Sequence, residues 1–408
     1  MVYTGVSELF AITAPGLESI ALGELKKLGL KGKAEIGGVS FRGEPETMYA
    51  ANLWLRTASR IVLRVANFHA STFHELERRA RQIPWANFLP PNAAVRVRVT
   101  CRKSRLYHSD AVAQRILEAI ARAAPGVRSV SGDAQLADPD NDEADDNTET
   151  PAQLFIVRIV DDQCEISADT SGELLHRRGY RLQVGKAPMR ETLAAAMLLA
   201  SGWRSVESLV DPLCGSGTIL IEAALMARGI APGLHRKFAF MDWPAFSAEK
   251  WKHVLAGADG TAVAIGTPPR IIGADRDAGA IDAAARNAER AGVDADVRLA
   301  VRPMSVSLDE LESLARPGWV LTNPPYGVRV GDTEGLRNLY AKLGSTVKSA
   351  AGWRLGILTS DTKLSRQMGI PMRARFSTSN GGIPVAFLAQ EKPAPGTALL
   401  RERGVRDG

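Results

Sequence analysis

The segment Leu209-Val210-Asp211-Pro212-Leu213-Cys214-Gly215-Ser216-Gly217-Thr218 constrains this chain more than any other. An apolar run ends in an acid, a loop with two glycines follows, and Ile219-Leu220-Ile221-Glu222-Ala223-Ala224 continues as an apolar helix. A strand that turns so tightly into a helix is the repeating unit of a mostly parallel, doubly wound α/β sheet. The second half of the chain keeps this alternation, with strands at 208–210, 271–274, 318–322 and 354–359 and helices at 191–201, 218–227, 278–291 and 333–350. One such domain is predicted over 190–395, with a flexible tail at 396–408. Ligands of these sheets bind beyond the carboxyl ends of the strands.

Three strand ends carry candidate chemistry. At the first, Gly215 and Gly217 let backbone approach a ligand closely, and the helix N-terminus offers unpaired N–H groups from the loop Cys214, Ser216 and Thr218. Asp211 would repel a phosphate but suits a ligand with an ammonium group. S-adenosylmethionine carries one, with a sulfonium cation besides. A tight turn with no ligand explains a lone glycine loop equally well. The second end, Ile271-Ile272-Gly273-Ala274-Asp275-Arg276-Asp277, tips the balance toward a ligand. Asp275 is placed to accept hydrogen bonds from ribose hydroxyls, Arg276 lies beside it, and Asp277 caps the next helix.

The third end, Val320-Leu321-Thr322-Asn323-Pro324-Pro325-Tyr326-Gly327, specifies a reaction. Pro324 and Pro325 fix φ and remove N–H donors. That leaves the Asn323 side-chain oxygen and a backbone carbonyl as two acceptors aimed at one point. An amine on a nucleic-acid base has two N–H bonds for them, and Tyr326 would stack on the base, a contact worth about 1–3 kcal/mol. The expected chemistry is in-line methyl transfer from sulfonium to amine, with no covalent intermediate and no nucleophilic role for Cys214.

The N-terminal half reads as two smaller α/β units, 1–44 and 45–166, followed by a connector at 167–189. Their expected elements are strands at 9–13, 39–41, 60–65, 94–100 and 154–160 and helices from 17, at 47–55, 73–81 and 109–124. In Val95-Arg96-Val97-Arg98-Val99 alternation puts valines on the core face and Arg96 and Arg98 on the other. Arg102, Lys103, Arg105 and Tyr107 follow as a basic tip with an aromatic, a surface suited to RNA phosphates and stacking. A solvated basic face is the competing reading. Arg177 and Arg178, with His176 and Arg181, form a second cluster that either guides RNA or makes ion pairs between domains.

Net charge is +6, but eight of the 45 carboxylates lie within 133–150, which has no Lys or Arg. The rest of the chain sets 37 carboxylates against 51 Lys and Arg, or +14. That favours a polyanionic partner, with 133–150 as a solvated loop. The three cysteines are too far apart for a disulfide framework or zinc spacing, and the six histidines show no paired motif, so no metal is expected. The absence of a 20-residue apolar run and of a signal pattern predicts a cytoplasmic protein with no membrane contact.

The three strand ends, with His176-Arg177-Arg178-Gly179-Tyr180-Arg181 and Ala187-Pro188-Met189-Arg190-Glu191-Thr192-Leu193, resemble the THUMP-containing RNA guanine-N2 methyltransferases. The resemblance is greatest to the bacterial 23S rRNA enzymes that form 2-methylguanosine, with tRNA-acting relatives next, and it covers nearly the whole chain. It implies a ferredoxin-like piece (1–44), a THUMP domain (45–166) and a Rossmann-like class I methyltransferase domain. It further implies that Asp211, Gly215, Gly217 and Asp275 bind S-adenosylmethionine, and that Asn323, Pro324 and Tyr326 hold the target base. One feature departs from the family. Where an Asp usually follows the fourth strand and contacts the adenine amino group, this chain reads Val301-Arg302-Pro303-Met304-Ser305-Val306-Ser307. Either Ser305 substitutes or cofactor affinity is lower. The stretch 229–270, with Trp243 and Trp251, reads as the aromatic core of an added helical layer. A DNA adenine-N6 methyltransferase and an RNA-binding protein without strong cofactor binding are the alternatives.

Overall fold

The computed structural model describes residues 5–130, 152–181, 189–260, 270–309, 311, 314, 317–325 and 333–391. The acidic stretch 133–150, Tyr326 and the tail 396–408 lie outside them. The chain divides into two compact units, the first comprising 1–196 with 225–266 and the second 197–224 with 267–408.

The first unit opens with β1 (Ser7–Thr13), α1 (Glu18–Lys27), β2 (Gly32–Glu35), β3 (Gly38–Gly43), α2 (Pro45–Trp54) and β4 (Ala58–His69). It continues with α3 (Phe73–Ala80), β5 (Ala94–Arg102), α4 (Ser109–Ala123), β6 (Arg128–Ser129), β7 (Gln153–Val160) and β8 (Gln163–Asp169). The strands form one mixed sheet in the order β2-β3-β1-β4-β8-β7-β5-β6. Strand alternation sorts its side chains: Leu9, Ile61, Leu63, Val95, Val97, Val99, Phe155, Val157 and Ile166 share one apolar core. The opposite face carries Glu8, Arg64 and Glu165, joined in a charge network through Arg64.

β8 corrects the sequence reading. No strand was expected after 154–160 in this half, with a connector from 167, yet Gln163–Asp169 lies inside the sheet between β4 and β7. The hairpin turn before it is Asp161-Asp162, with φ values of 50° and 61°. Asp tolerates this left-handed conformation, so a two-residue turn forms here without the glycine that usually marks one.

Beyond β8 come α5 (Glu191–Ser201), β9 (Ser208–Asp211), α6 (Thr218–Ala227) and α7 (Ala248–Leu255). Then follow β10 (Ile271–Asp275), α8 (Ala278–Arg290), β11 (Val297–Val301), α9 (Met304–Asp309), β12 (Gly318–Thr322) and α10 (Thr333–Ser349). β13 (Arg354–Thr359), β14 (Met372–Asn380) and β15 (Ile383–Gln390) complete the described chain. The second unit's sheet has the order β11-β10-β9-β12-β13-β15-β14, and β15 runs antiparallel to both of its neighbours. Strand order reverses between β9 and β12, so the carboxyl ends of these two strands border the crevice where a doubly wound sheet binds its ligand.

Residues 225–266 interrupt the second unit in sequence but belong to the first in space. Phe238, Phe240 and Trp243 are at most 4% exposed and sit in the same core as Tyr49, Trp85 and Phe155. Phe240 stacks on Tyr49 at 4.5 Å, Trp243 meets Phe88 edge-on at 5.1 Å, and the Trp243 indole N–H donates to Gln153 at 2.7 Å. The methyltransferase region expected over 190–395 is thus not one compact piece.

Candidate active site

Asp211 ends β9 and is 2% exposed, accepting the Leu213 N–H at 3.1 Å. Burial pushes its carboxyl up to about 7, opposed by the Thr322 hydroxyl and the Leu213 N–H and reinforced by the charge of Asp275. No cation acts on this buried carboxylate among the described residues, and an ammonium ligand would supply one.

The glycine loop is braced from the neighbouring strand. Cys214 N–H donates to the Ala274 carbonyl at 2.9 Å, and Gly215 N–H donates to Asp275 at 3.0 Å. Asn287 on α8 donates to the Ser216 carbonyl at 3.1 Å. Gly217 has φ +82°, and a side chain there would come within 3.0 Å of Ala284, whereas nothing lies within 4 Å of where Gly215 would carry one. The loop is therefore packed on one side and open on the other, as a cradle for a ligand must be. Thr218 is buried where α6 begins. Burial, with Asp211 and Asp275 nearby, raises the Cys214 thiol far above its ordinary range, so it is no thiolate nucleophile.

Asp275 also accepts the Asp277 N–H at 3.0 Å, and Arg276 lies between them. Asp277 caps α8 through Gly279 and Ala280, as expected. After β11 the chain runs beside this strand end, with Arg302 N–H donating to the Asp275 carbonyl at 2.9 Å. Where the family acid would stand, the chain presents Val301 and Val306, both about half exposed, with Ser305 half-buried between Met304 and Val306.

β12 pairs with β9 through Val320 and Val210, which places Asn323 two residues past the level of Asp211 on the adjacent strand. The Asn323 side-chain oxygen is buried and has no hydrogen-bond partner among the described residues. Pro324 behind it is buried, and Pro325 is exposed. A buried carbonyl oxygen left without a donor is costly, so its persistence at a strand end points to a donor brought by a ligand. The structure thus brings Asp211, Cys214 to Thr218, Asp275, Arg276 and Asn323 to one edge of one sheet, and these residues fit a nucleoside bearing an ammonium group.

The basic residues of the first unit divide. Arg102, Lys103, Arg105 and Tyr107 are exposed, Tyr107 at 69% with its ring 4.0 Å from His108. Arg96 and Arg98 are half-buried on the outer face of β5, and each has partners in the protein. Asp162 was missed by sequence reasoning: it accepts the Ser104 hydroxyl and the Arg105 N–H, each at 2.8 Å, and so shapes the tip. Asn287 was missed too, being one polar residue on the buried face of α8. Arg178 corrects the expectation of an RNA contact. It is 6% exposed and donates to the carbonyls of Leu175 and Arg56, which makes it a clamp on the chain after β8. Arg177 is half-buried beside it. Arg181 is held by Glu191 at 3.1 Å, and burial among Arg190, Arg178, Arg181 and Arg177 lowers His176 to about 2.

Comparison with known proteins follows the same division. A ferredoxin-like domain described for RlmL matches residues 8–62, the THUMP domain matches 70–169, and the family described as RMKL-like, methyltransferase domain, matches 178–385. The chain belongs to the RMKL-like methyltransferases. A relative of this family from Synechocystis, named "Putative RNA methyltransferase slr0064", is 33% identical over 386 residues, 94% of this chain and 96% of its own. Ribosomal RNA large subunit methyltransferase K/L of Methylococcus capsulatus is 36% identical over 392 residues, 92% of this chain and 50% of its own. The chain spans about half the length of the K/L relatives it matches. The crystal structure of SMU.472 complexed with SAH is 30% identical, with a TM-score of 0.80 over 95% of this chain and 98% of that one. This RMKL-like enzyme is an S-adenosylmethionine-dependent methyltransferase. No helix of its described residues is long and apolar enough to cross a membrane.

Proposed function

We propose that this enzyme methylates the exocyclic N2 amine of a guanine in RNA, with 23S rRNA as its substrate. The reading is carried by the Asn323 side-chain oxygen, a buried acceptor with no donor among the described residues, one strand away from an acid suited to an ammonium group. RNA is favoured over DNA by the THUMP match and by the exposed Arg102, Lys103, Arg105 and Tyr107. The K/L relatives, named for the large ribosomal subunit, favour rRNA over tRNA.

When bound, S-adenosylmethionine supplies an electrophilic methyl on a sulfonium. Asp211 takes its ammonium group, and Asp275, with Arg276 beside it, takes the ribose hydroxyls. The loop from Cys214 to Thr218 would offer close backbone approach, and Ser305 would take the adenine contact in place of the family acid. Asn323 Oδ1 and the Pro324 carbonyl accept the two amine hydrogens, which turns the nitrogen lone pair toward the methyl group and holds it there. Tyr326 stacks on the base, a role that rests on the family resemblance. Arg102, Lys103, Arg105 and Tyr107, with Arg96, Arg98 and Arg177 more deeply set, bind RNA backbone.

The test is mass spectrometry of nucleosides from rRNA and tRNA of a deletion strain beside its parent. Loss of 2-methylguanosine from 23S rRNA is expected. Loss of the same nucleoside from tRNA alone would replace the substrate, and an unchanged profile would defeat the proposal.

A further inference from the structure

The β14–β15 ribbon does not stop where the sheet does. β15 pairs with β13 only as far as Ala386, opposite Thr359. Its pairing with β14 goes on through Val385, Pro384 and Ile383, opposite Thr378, Ser379 and Asn380. The overhang is closed by Gly381-Gly382, whose φ values of 56° and 77° are the left-handed pair that a two-residue hairpin turn requires. Pro384 agrees with this geometry. The alternation of an antiparallel ladder turns its nitrogen away from β14, toward the side where β13 has ended, so the missing N–H costs no ladder bond. From Met372 to Gln390 the ribbon has two arginines and no carboxylate, with Arg373 paired to Glu391 just beyond it at 3.1 Å. At its tip Ile383 is 41% exposed, and Pro384 is exposed beside it.

The tip overhangs the edge that holds Asn323. Register through β13 sets Asn323 level with Leu358 and Phe387. Ile383 lies two strands to the side and four residues further out, about 10 Å across and about 13 Å forward by ordinary sheet spacings. An acceptor buried at a strand end cannot meet an amine stacked and paired inside a helix, so the base must first turn out. Proteins that unstack and kink a duplex do so by inserting apolar side chains between base steps, isoleucine and proline among them.

We propose that the β14–β15 hairpin is a wedge: Ile383 enters the stack of a structured RNA where the target base has left, with the carboxylate-free ribbon facing the phosphates. This rests on the RNA reading above. The test measures transfer of labelled methyl to protein-free 23S rRNA from a deletion strain, either folded with magnesium or fragmented and heat-denatured. Ile383→Ala is expected to lower kcat/KM about tenfold on folded RNA and less than threefold on fragments, while Ile383→Leu restores the loss. S-adenosylhomocysteine affinity, measured by calorimetry, stays at the wild-type value and shows that the fold is intact. Equal losses on both RNAs, or no loss on folded RNA, would overturn the wedge. If the wild-type enzyme labels neither RNA, the rRNA reading fails first and the wedge falls with it.

Discussion

The two units reach stability by opposite routes. In the second, the parts that matter are held within a few residues of strand ends: Asp211 by Leu213, Cys214 by Ala274, Gly215 by Asp275. In the first, the core also takes in Phe238, Phe240 and Trp243 from far along the chain, with Phe240 stacked on Tyr49 across 191 residues. Backbone hydrogen bonds at neighbouring strand ends hold the site, whereas a distant aromatic contact ties a late segment of chain into an early core.

The largest effect expected from this contrast is Phe240→Ala. It should destabilise the first unit by about 3–5 kcal/mol, the usual cost of emptying a buried aromatic site. Chemical denaturation followed by tryptophan fluorescence would show an early transition with the second unit's melting unchanged. Simultaneous loss of both transitions would show that the two units unfold as one.

Asn323→Ala makes the complementary case. We expect turnover to fall about 10²–10³-fold, the scale for removing one preorganised polar group, with thermal stability intact. Stability rises if anything, because an unpartnered buried oxygen is removed. Steady-state kinetics beside a melting curve separates the two effects, and a lowered melting temperature with unchanged kcat would reverse the assignment.

Asp211 makes stability and ligand affinity respond to pH in opposite directions. Its folded pKa, about 7, is raised above the unfolded value, so its contribution to stability is fully present below about pH 4 and is lost as pH rises through about 7. Asp211→Asn should therefore melt higher than wild type at pH 8 and no higher at pH 4. Binding runs the other way. Affinity for S-adenosylhomocysteine, which keeps the ammonium group, should strengthen several-fold from pH 6 to pH 8 in the wild type and stay flat in Asp211→Asn. Parallel pH profiles in the two proteins would exclude Asp211 from the ligand.

The smallest effect belongs to the basic tip of the first unit. Replacing Arg102, Lys103 and Arg105 together by Ala should reduce the salt dependence of RNA binding by about 0.7 log unit for each phosphate no longer neutralised, leaving transfer at saturating RNA unchanged. Filter binding across a salt series reads this directly.

How much of this was legible depended on where each feature keeps its information. β9, β10 and β12 announce themselves because each ends in a polar residue followed by a glycine, proline or capping turn. β8 was hidden by a turn built from Asp161 and Asp162, whose left-handed φ values carry no glycine to flag them. β14 and β15 were hidden because Gly381-Gly382 lies between segments that do not alternate strictly. The second acidic anchor was legible in Asp275, but the Asn287 clamp on Ser216 was not, since only the packed helix shows which face it presents. Arg178 looks in sequence like the other basic residues of its cluster, and nothing short of the fold reveals that two carbonyls hold it. The aromatics of 225–266 were rightly read as core, but which core they complete depends on contacts that no local pattern encodes.

That last feature also sets a schedule during synthesis. β8 leaves the ribosome at residue 169, whereas Trp251, which packs on the same core, follows some 80 residues later. At roughly 5–20 residues per second, that interval is about 4–16 s. Through it the apolar side of Tyr49, Phe88 and Phe155 waits for its late partners while only β9 of the other sheet emerges. A nascent chain arrested between 181 and 230 is therefore the form of this protein on which a chaperone that recognises aromatic surface would dwell longest.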